Sequence, residues 1–572
     1  MTTLLSRIER AAASRSGAVT FVSGTSAERV AWAQLLEEAT GMAAILQAGG
    51  AGPGSRVGLL GPTSRSFVSA IEATWLTGAT AVVLPLPMRL SSVEEFVAQT
   101  QRRIRQAGVS LLVVDPELVA FLPEPAPGDP PVVTLADLTP GPGRPQALAY
   151  RRPADDPDAL VILQFTSGST ADPKGVMLPH RQVLANHDAI REAAQLDPED
   201  DVLVSWLPLY HDMGLIGLLG VPMATGTDLV LAAPQDFLAA PARWMEWMSE
   251  FGGTATAGPN FAYALAARAL RRLPGLDLTR WRLALNGAEP IDPASVESFC
   301  KAGARHGLDP RAAFCVFGMA EATLAVTFPK PGTGMVVDAV DRRVLETDRY
   351  AAPVDDDPAA TTDPSRRRFP LLGIPLPGLN VRITDPEGGK PMADREVGEI
   401  EIRGTSVTPG YDGRPDATIA AFRDGWLRTG DLGYVVVSEP ASRRLAQRET
   451  SDEVGGELVV CGRIKDVIIV GGRNVFPEDI ERAVALVEGV RPGNVVAFGT
   501  EGRRGGEALV VVAEAKAPDT AGLRDAVSRK VRDTVGMRPQ DVVLLEPGTL
   551  PKTSSGKLQR ALSRQRYLTA AL

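Results

Sequence analysis

Two stretches of the chain combine residue types that hold phosphate. One is "FTSGSTADPKG", Phe165–Gly175, and the other is "LPKTSSGKLQR", Leu550–Arg560. Small residues let backbone N–H groups turn toward an oxyanion, hydroxyls add donors, and Lys174 or Lys557 adds a point charge. The first stretch is not a Walker A loop, because the GxxxxGK[ST] spacing is absent. An ordinary Ser/Thr/Gly loop has the same composition, and the second stretch, with 12 residues after it, has that of a terminal tail.

Position after a strand moves the first stretch only modestly toward the phosphate reading. "ALVILQ" (Ala159–Gln164) precedes the first loop and reads as a buried strand. From Val57 to Leu86 an apolar run, a turn, a helical stretch and a second apolar run follow the order of a βαβ unit with a buried parallel sheet. "LLVVD" (Leu111–Asp115) and "DLVLAA" (Asp228–Ala233) repeat the strand signal, so most of the chain reads as layered α/β. Trp244, Trp247, Met248 and Phe251 share one helix face, and a core stripe is the default reading.

The sequence becomes irregular and polar between Phe328 and Arg368, which reads as a surface insertion with mobile parts. Alternation in "NVRITD" (Asn380–Asp385) and "EIEIRG" (Glu399–Gly404) predicts antiparallel strands with one wet face. Pro477 then opens a helix with acids in its first turn. Strand runs "NVVAF", "ALVVVAEA" and "DVVLLEP" around a helical "AGLRDAVSRKVRDTV" predict a compact α+β unit that ends with the Lys557 loop.

At 572 residues, 44% hydrophobic and 23% charged, the chain has the composition of a soluble multi-domain protein. A net charge of -9 argues against nucleic-acid binding, which draws on clustered Lys and Arg. Cys300, Cys315 and Cys461 lack metal-ligand spacing and are expected as buried thiols of a cytoplasmic protein. Neither a signal peptide nor a membrane span is expected, since no basic stretch leads into an apolar run and no apolar run reaches about 18 residues.

"TSGSTADPKG" resembles the phosphate loop of the adenylate-forming superfamily, which holds acyl-CoA synthetases, nonribosomal peptide adenylation domains and luciferases. In the order of that family follow "LPLYHDMG" (Leu207–Gly214), "NGAEP" (Asn286–Pro290), "FGMAEAT" (Phe317–Thr323), "GWLRTGDLG" (Gly425–Gly433), "GRIKDVIIVGGRN" (Gly462–Asn474) and the Lys557 loop. The resemblance covers essentially the whole chain. It implies a large N-terminal adenylation domain, residues 1–462, made of layered α/β subdomains plus a β-rich one. A hinge at 463–466 and a small mobile α+β domain, 467–572, would follow.

The implied reaction joins a carboxylate to the α-phosphate of ATP, with loss of pyrophosphate, and then passes the acyl group to a thiol. Thr166, Ser167, Gly168, Ser169, Thr170 and Lys174 would hold the β- and γ-phosphates. Glu321 would bind Mg²⁺. Phe317, Gly318, Met319 and Ala320, with Asn286, Gly287, Ala288 and Glu289, would surround the adenine. Asp431 would accept the ribose hydroxyls beside Arg463, His211 would adjoin the acyl carboxylate, and Lys557 would offset the repulsion of the two reacting anions. Lys465 corresponds to the hinge residue, and Gly471 and Gly472 to the loop that admits a phosphopantetheine arm. Trp206, Phe261 and Tyr263 are the expected acyl-pocket walls.

"SWLPLYHDMGLIG", "GPNFAY", "NGAEPI" and "GMAEATLAVT" resemble the fatty acyl-AMP ligase branch. So does the separation of 52 positions between Glu321 and Gly373, which leaves room for that branch's insertion at about 328–368. The branch implies a carboxylic acid substrate and an acyl carrier protein as acceptor. "IIVGGRNVFPEDIE" differs from the branch's usual wording, so CoA stays open as the acceptor and a bulkier acid as the substrate. A non-catalytic nucleotide-binding scaffold would have lost Lys557, Glu321 or Asp431, and all three are present.

Overall fold

A computed structural model describes residues 2–14, 16–86, 93–124, 126–139, 149–166, 173–357, 363–437, 456–502, 507–516, 521–552 and 557–571. The expected βαβ unit is present: Arg56–Leu60 and Thr80–Val83 lie parallel, joined by helix Arg65–Leu76. Ser64 starts that helix by accepting a hydrogen bond from the Phe67 N–H. The full sheet runs Val132–Thr134, Leu111–Val114, Arg56–Leu60, Thr80–Val83, Leu160–Phe165, Gly175–Pro179, with the last strand antiparallel to its neighbour.

Seven strands make the second sheet, in the order Ala313–Cys315, Leu283–Asn286, Ala255–Gly258, Val202–Ser205, Asp228–Ala232, Ala18–Ser23, Ser26–Ala31. All neighbours are parallel except the last pair. One hydrophobic core joins this sheet to the first. Trp244, Trp247 and Met248 are buried in it from helix Ala242–Glu250, as the core-stripe reading expected.

Leu379–Thr384 and Gly398–Gly404 are antiparallel, as expected, but the wet face is a correction. Arg382, Glu399 and Glu401 occupy the polar positions, and all three are buried. Arg382 pairs with Glu401 at 2.7 Å, Arg428 with Glu399 at 2.7 Å, and the Arg382 guanidinium lies 4.4 Å from the Trp426 ring centroid. Alternation separates charged from apolar positions, but pairing lets the charged side be buried as well.

The insertion is a second correction, because its described part is a built element. Val337–Asp341 and Arg366–Pro370 form an antiparallel ladder, and helix Arg342–Asp348 follows the first strand with Asp341 as its cap. Several of its charges are paired. Arg395 holds Asp338 at 3.0 Å, Arg368 holds Asp356 and Glu297 at 2.7 Å each, and the Tyr434 hydroxyl donates to Asp338 at 2.6 Å.

Residues beyond Lys465 build cores of their own around the three-stranded sheet Val490–Glu501, Glu507–Ala515, Asp541–Leu545. Val527, Val531 and Val535, four apart on helix Ala521–Val535, are buried against it. The insertion grips this unit. Arg367 lies between the rings of Phe369 and Phe476, at 4.4 and 4.2 Å, donates to the Cys461 carbonyl at 2.9 Å and pairs with Asp479 at 3.0 Å. Arg473 pairs with Glu346, and Arg342 donates to the Thr534 carbonyl at 2.8 Å. Among the described residues no helix is long and apolar enough to cross a membrane.

Candidate active site

The first phosphate-type loop closes a β-hairpin. Leu160–Phe165 pairs with Gly175–Pro179, and the Thr166 N–H donates to the Lys174 carbonyl at 3.0 Å, so both residues stand at the base of the loop. Ser167, Gly168, Ser169 and Thr170 lie outside the described residues. The Lys174 ammonium sits 4.4 Å from the centroid of the Tyr411 ring, and the Tyr411 hydroxyl donates to Glu321 Oε1 at 2.9 Å. Tyr411 therefore joins the phosphate lysine to the expected metal acid, a role sequence reasoning missed. Its signal was the "PGYDG" turn between two matched motifs.

Glu321 belongs to the short turn Ala320–Ala322, and Thr323 after it holds φ at +75°. A β-branched residue in that region is strained, which the surroundings must over-determine. Thr323 is fully buried and its hydroxyl donates to the Ser406 carbonyl at 2.7 Å. Burial pushes the Glu321 carboxyl up, against the pull of Tyr411 and Arg463. It is thus a desolvated acid in want of a cation.

Strands Ala255–Gly258 and Leu283–Asn286 end side by side, and ligands of open α/β sheets bind at such carboxyl ends. Gly287 is forced by closeness: a Cβ there would lie 2.9 Å from Val316 Cγ2 and 3.2 Å from the Val316 carbonyl oxygen. Gly287, Ala288, Glu289, Phe317, Gly318, Met319, Ala320 and Glu321 line one cleft of about 2660 Å³. Asn286 is not among the lining residues; it is buried at the end of its strand, and its amide donates at 3.3 Å to Oδ1 of Asn260, which does line the cleft. Glu289 Oε1 accepts from the Phe261 N–H at 2.7 Å and so fixes the start of helix Asn260–Leu270.

Asp431 and Arg463 face each other across neighbouring strands with Nε and Oδ1 3.2 Å apart. Burial lifts the Asp431 carboxyl to about 6, opposed by Arg463 and aided by Glu321. His211 Nδ1 is 2.5 Å from Asp212 Oδ1, and Asp212 caps the wide-turn helix Met213–Gly220. Burial raises the Asp212 carboxyl, but His211 and Lys557 outweigh it and hold the group below its ordinary value. Asp212 was also missed, although it adjoins His211 in "YHDMG".

Lys557 reaches this cleft from the C-terminal unit. Burial lowers its ammonium, the charges of Asp212 and Glu289 draw it back up, and Arg463 adds to the lowering. Its loop is closed by the Lys552–Leu558 bridge and by the Gln559 N–H donating to the Pro551 carbonyl at 3.0 Å. Arg560 then ties the loop to Asp466 at 2.5 Å and to Glu481 at 3.0 Å. Lys465 lies in the turn Ile464–Asp466. Gly471 and Gly472, with φ of +62° and +77°, turn the hairpin Ile468–Val470 to Arg473–Val475 and do not line the cleft.

Of the expected acyl walls only Phe261 lines the cleft. Trp206 stacks on Phe237 with centroids 3.6 Å apart, and Tyr263 donates to the Leu285 carbonyl at 2.8 Å. Both are core residues of the aromatic cluster around Trp244. The apolar walls are instead Ala255, Ala257, Leu283 and Leu285, which point to one sheet face, with Gly217 and Leu218 of the wide-turn helix.

The family described as AMP-binding enzyme matches residues 8–412, and the AMP-binding enzyme C-terminal domain matches residues 472–565. A Mycobacterium tuberculosis protein named as a ligase, Rv1013, is 40% identical over 550 residues, covering 94% of this chain and 94% of the relative. The long-chain-fatty-acid–AMP ligase FadD26 of Mycobacterium marinum is 34% identical over 577 residues, covering 95% and 92%. A solved structure from work on fatty acyl-adenylate ligases of E. coli and L. pneumophila aligns with a TM-score of 0.86 at 31% identity, covering 100% of this chain and 98% of that one.

Proposed function

The chain belongs to the AMP-binding enzyme family, and on that premise we propose that it activates a fatty acid as acyl-adenylate and hands the acyl group to a carrier protein. The observation that carries this reading is Lys557, brought from a separately cored unit into the field of Asp212 and Glu289. A carboxylate oxygen attacks the α-phosphorus, the bond to the β-phosphate bridge breaks, and pyrophosphate leaves. Lys557 offsets the repulsion as the two anions meet. Asp431 accepts the ribose hydroxyls, Phe317 stacks on adenine, and Thr166 and Lys174 take the leaving phosphates with the loop between them.

Glu321 fits a magnesium site. Tyr411 engages one of its oxygens, and no group of three or more metal-ligating side chains exists among the described residues. A lone carboxylate that leaves the rest of the shell to phosphate oxygens and water suits Mg²⁺. When bound, the ion supplies charge neutralisation at the phosphates.

In the second half-reaction a thiol attacks the acyl carbonyl and AMP leaves. That step needs Lys557 withdrawn by rotation about 463–466, which would bring the Gly471–Gly472 turn to the cleft. The Arg367–Asp479 pair opposes such rotation and so supports an enzyme that keeps its adenylate until the junction is released, a release we assign to the docking of a carrier protein. Pyrophosphate release with a panel of fatty acids, followed by CoA addition, tests the reading. Adenylate without rapid CoA thioester is expected; rapid thioester formation would reassign the acceptor to CoA, and no pyrophosphate with any acid would overturn adenylation.

A further inference from the structure

Helix Val93–Gln106 meets the chain at Pro173, just before Lys174, and no matched motif includes it. Phe96, Gln99, Arg103 and Gln106 are spaced three, four and three apart, so they share one face. Phe96, Gln99 and Arg103 line the cleft together with Thr166, Pro173 and Lys174. Gln106 fixes the register, because its amide donates to the Pro173 carbonyl at 2.8 Å, immediately before Lys174. Arg103 stands one turn from that contact, with about 5–6 Å between the Cβ atoms of such neighbours.

What sets Arg103 apart is the lack of a counter-charge. Its Nε is buried with no hydrogen-bond partner, and among the described residues it forms no ion pair. Arg56 pairs with Asp412 at 2.6 Å and Arg367 with Asp479 at 3.0 Å, while Arg342, which has no ion pair among the described residues, donates to the Thr534 carbonyl at 2.8 Å instead. Burial and the neighbouring Arg102 both disfavour the Arg103 charge. A buried unpaired donor is costly and calls for a reason. A guanidinium also offers forked donors that match phosphate oxygens.

We propose that Arg103 is an anion-binding residue for the β- and γ-phosphates of ATP and for the pyrophosphate that leaves. It adds, from a separate helix, a second cation to the part of the cleft that Thr166, Pro173 and Lys174 line. On the adenylation reading the AMP moiety would lie toward Phe317 and Asp431, and Arg103 would then discriminate polyphosphate from monophosphate. The assignment rests on the adenylation reading for its ligand, but not for its test.

Calorimetric titration of the full chain with inorganic pyrophosphate and, separately, with AMP decides it. Arg103→Gln should weaken pyrophosphate binding by about tenfold, the scale of one charge-assisted contact, and leave AMP binding within about twofold. Arg103→Lys should recover part of the loss. Unchanged AMP affinity also certifies that the variant is folded. Pyrophosphate affinity equal to wild type, parallel loss of AMP and pyrophosphate, or no pyrophosphate binding by wild type would each overturn the proposal. An Arg103-dependent pyrophosphate site in a chain that makes no adenylate would sustain it and overturn only the adenylation reading.

Discussion

Arg367 of the insertion and Asp479 of the C-terminal unit are 3.0 Å apart, with only 3% and 2% of their side chains exposed. Asp479 is also held by Arg482 at 2.7 Å, and the arginines hold its carboxyl below the ordinary value despite burial. Breaking a buried pair typically costs about 3–5 kcal/mol, and the remaining Arg482 should reduce that here. Arg367→Met is therefore expected to loosen the junction rather than unfold either unit. Hydrogen exchange in helix Pro477–Val484 should quicken and CoA thioester formation should rise. Unchanged exchange with unchanged thioester yield would remove the insertion as a restraint.

Lys557→Ala should slow adenylate formation by at least roughly 10² to 10³, the scale of one preorganised charge stabiliser. Transfer from supplied acyl-adenylate to a thiol should change little. The two half-reactions measured separately check this, and equal losses in both would contradict a lysine needed for only one.

Asp431 makes nucleotide binding depend on pH. Burial lifts its carboxyl to about 6, and in the proposed role the ribose hydroxyls would donate to the ionised form. Binding thus lowers the pKa, so AMP affinity should be full above about pH 6 and fall by up to about tenfold per unit below it. Asp431→Asn should weaken binding at neutral pH and flatten this profile. AMP titrations between about pH 5 and pH 8 read both effects.

Tyr411 can be divided by two substitutions. Phenylalanine keeps the ring beneath Lys174 but removes the hydroxyl that donates to Glu321. A hydrogen bond to a charged group contributes about 1.5–3 kcal/mol, so Tyr411→Phe should lower kcat for adenylation by about tenfold or more, with little change in the KM for ATP. Tyr411→Leu should raise that KM as well. Identical kinetics for the two variants would deny the ring its part in placing Lys174.

Much of the candidate site was legible because its signals are local. The loop of small residues after a buried strand is a matter of residue type and order, while Glu321, Asp431 and Arg463 were expected only through the resemblance of the stretches that hold them to one family. The βαβ unit and the C-terminal α+β unit were legible for the same reason, since periodicity follows directly from helix and strand geometry.

Other assignments needed the tertiary structure, because packing and charge pairing join residues far apart in the chain. Trp206 and Tyr263 had the right chemistry for an acyl wall, but an aromatic ring is equally suited to a core, and stacking on Phe237 and the bond to the Leu285 carbonyl place them there. The insertion read as polar and irregular because its partners, Asp479, Arg473 and Thr534, lie more than 100 residues away. Tyr411 and Arg103 belong to no phosphate motif; Tyr411 meets Lys174, and Arg103 shares its cleft, only because a turn and a helix pack near Pro173 and Lys174. The sequence by itself determined the order of the strand and helix signals and, through its resemblance to one family, which groups to expect in adenylate chemistry. The fold decided which of them meet, because burial turns an ordinary Arg, Tyr or Asp into one whose charge requires a particular neighbour.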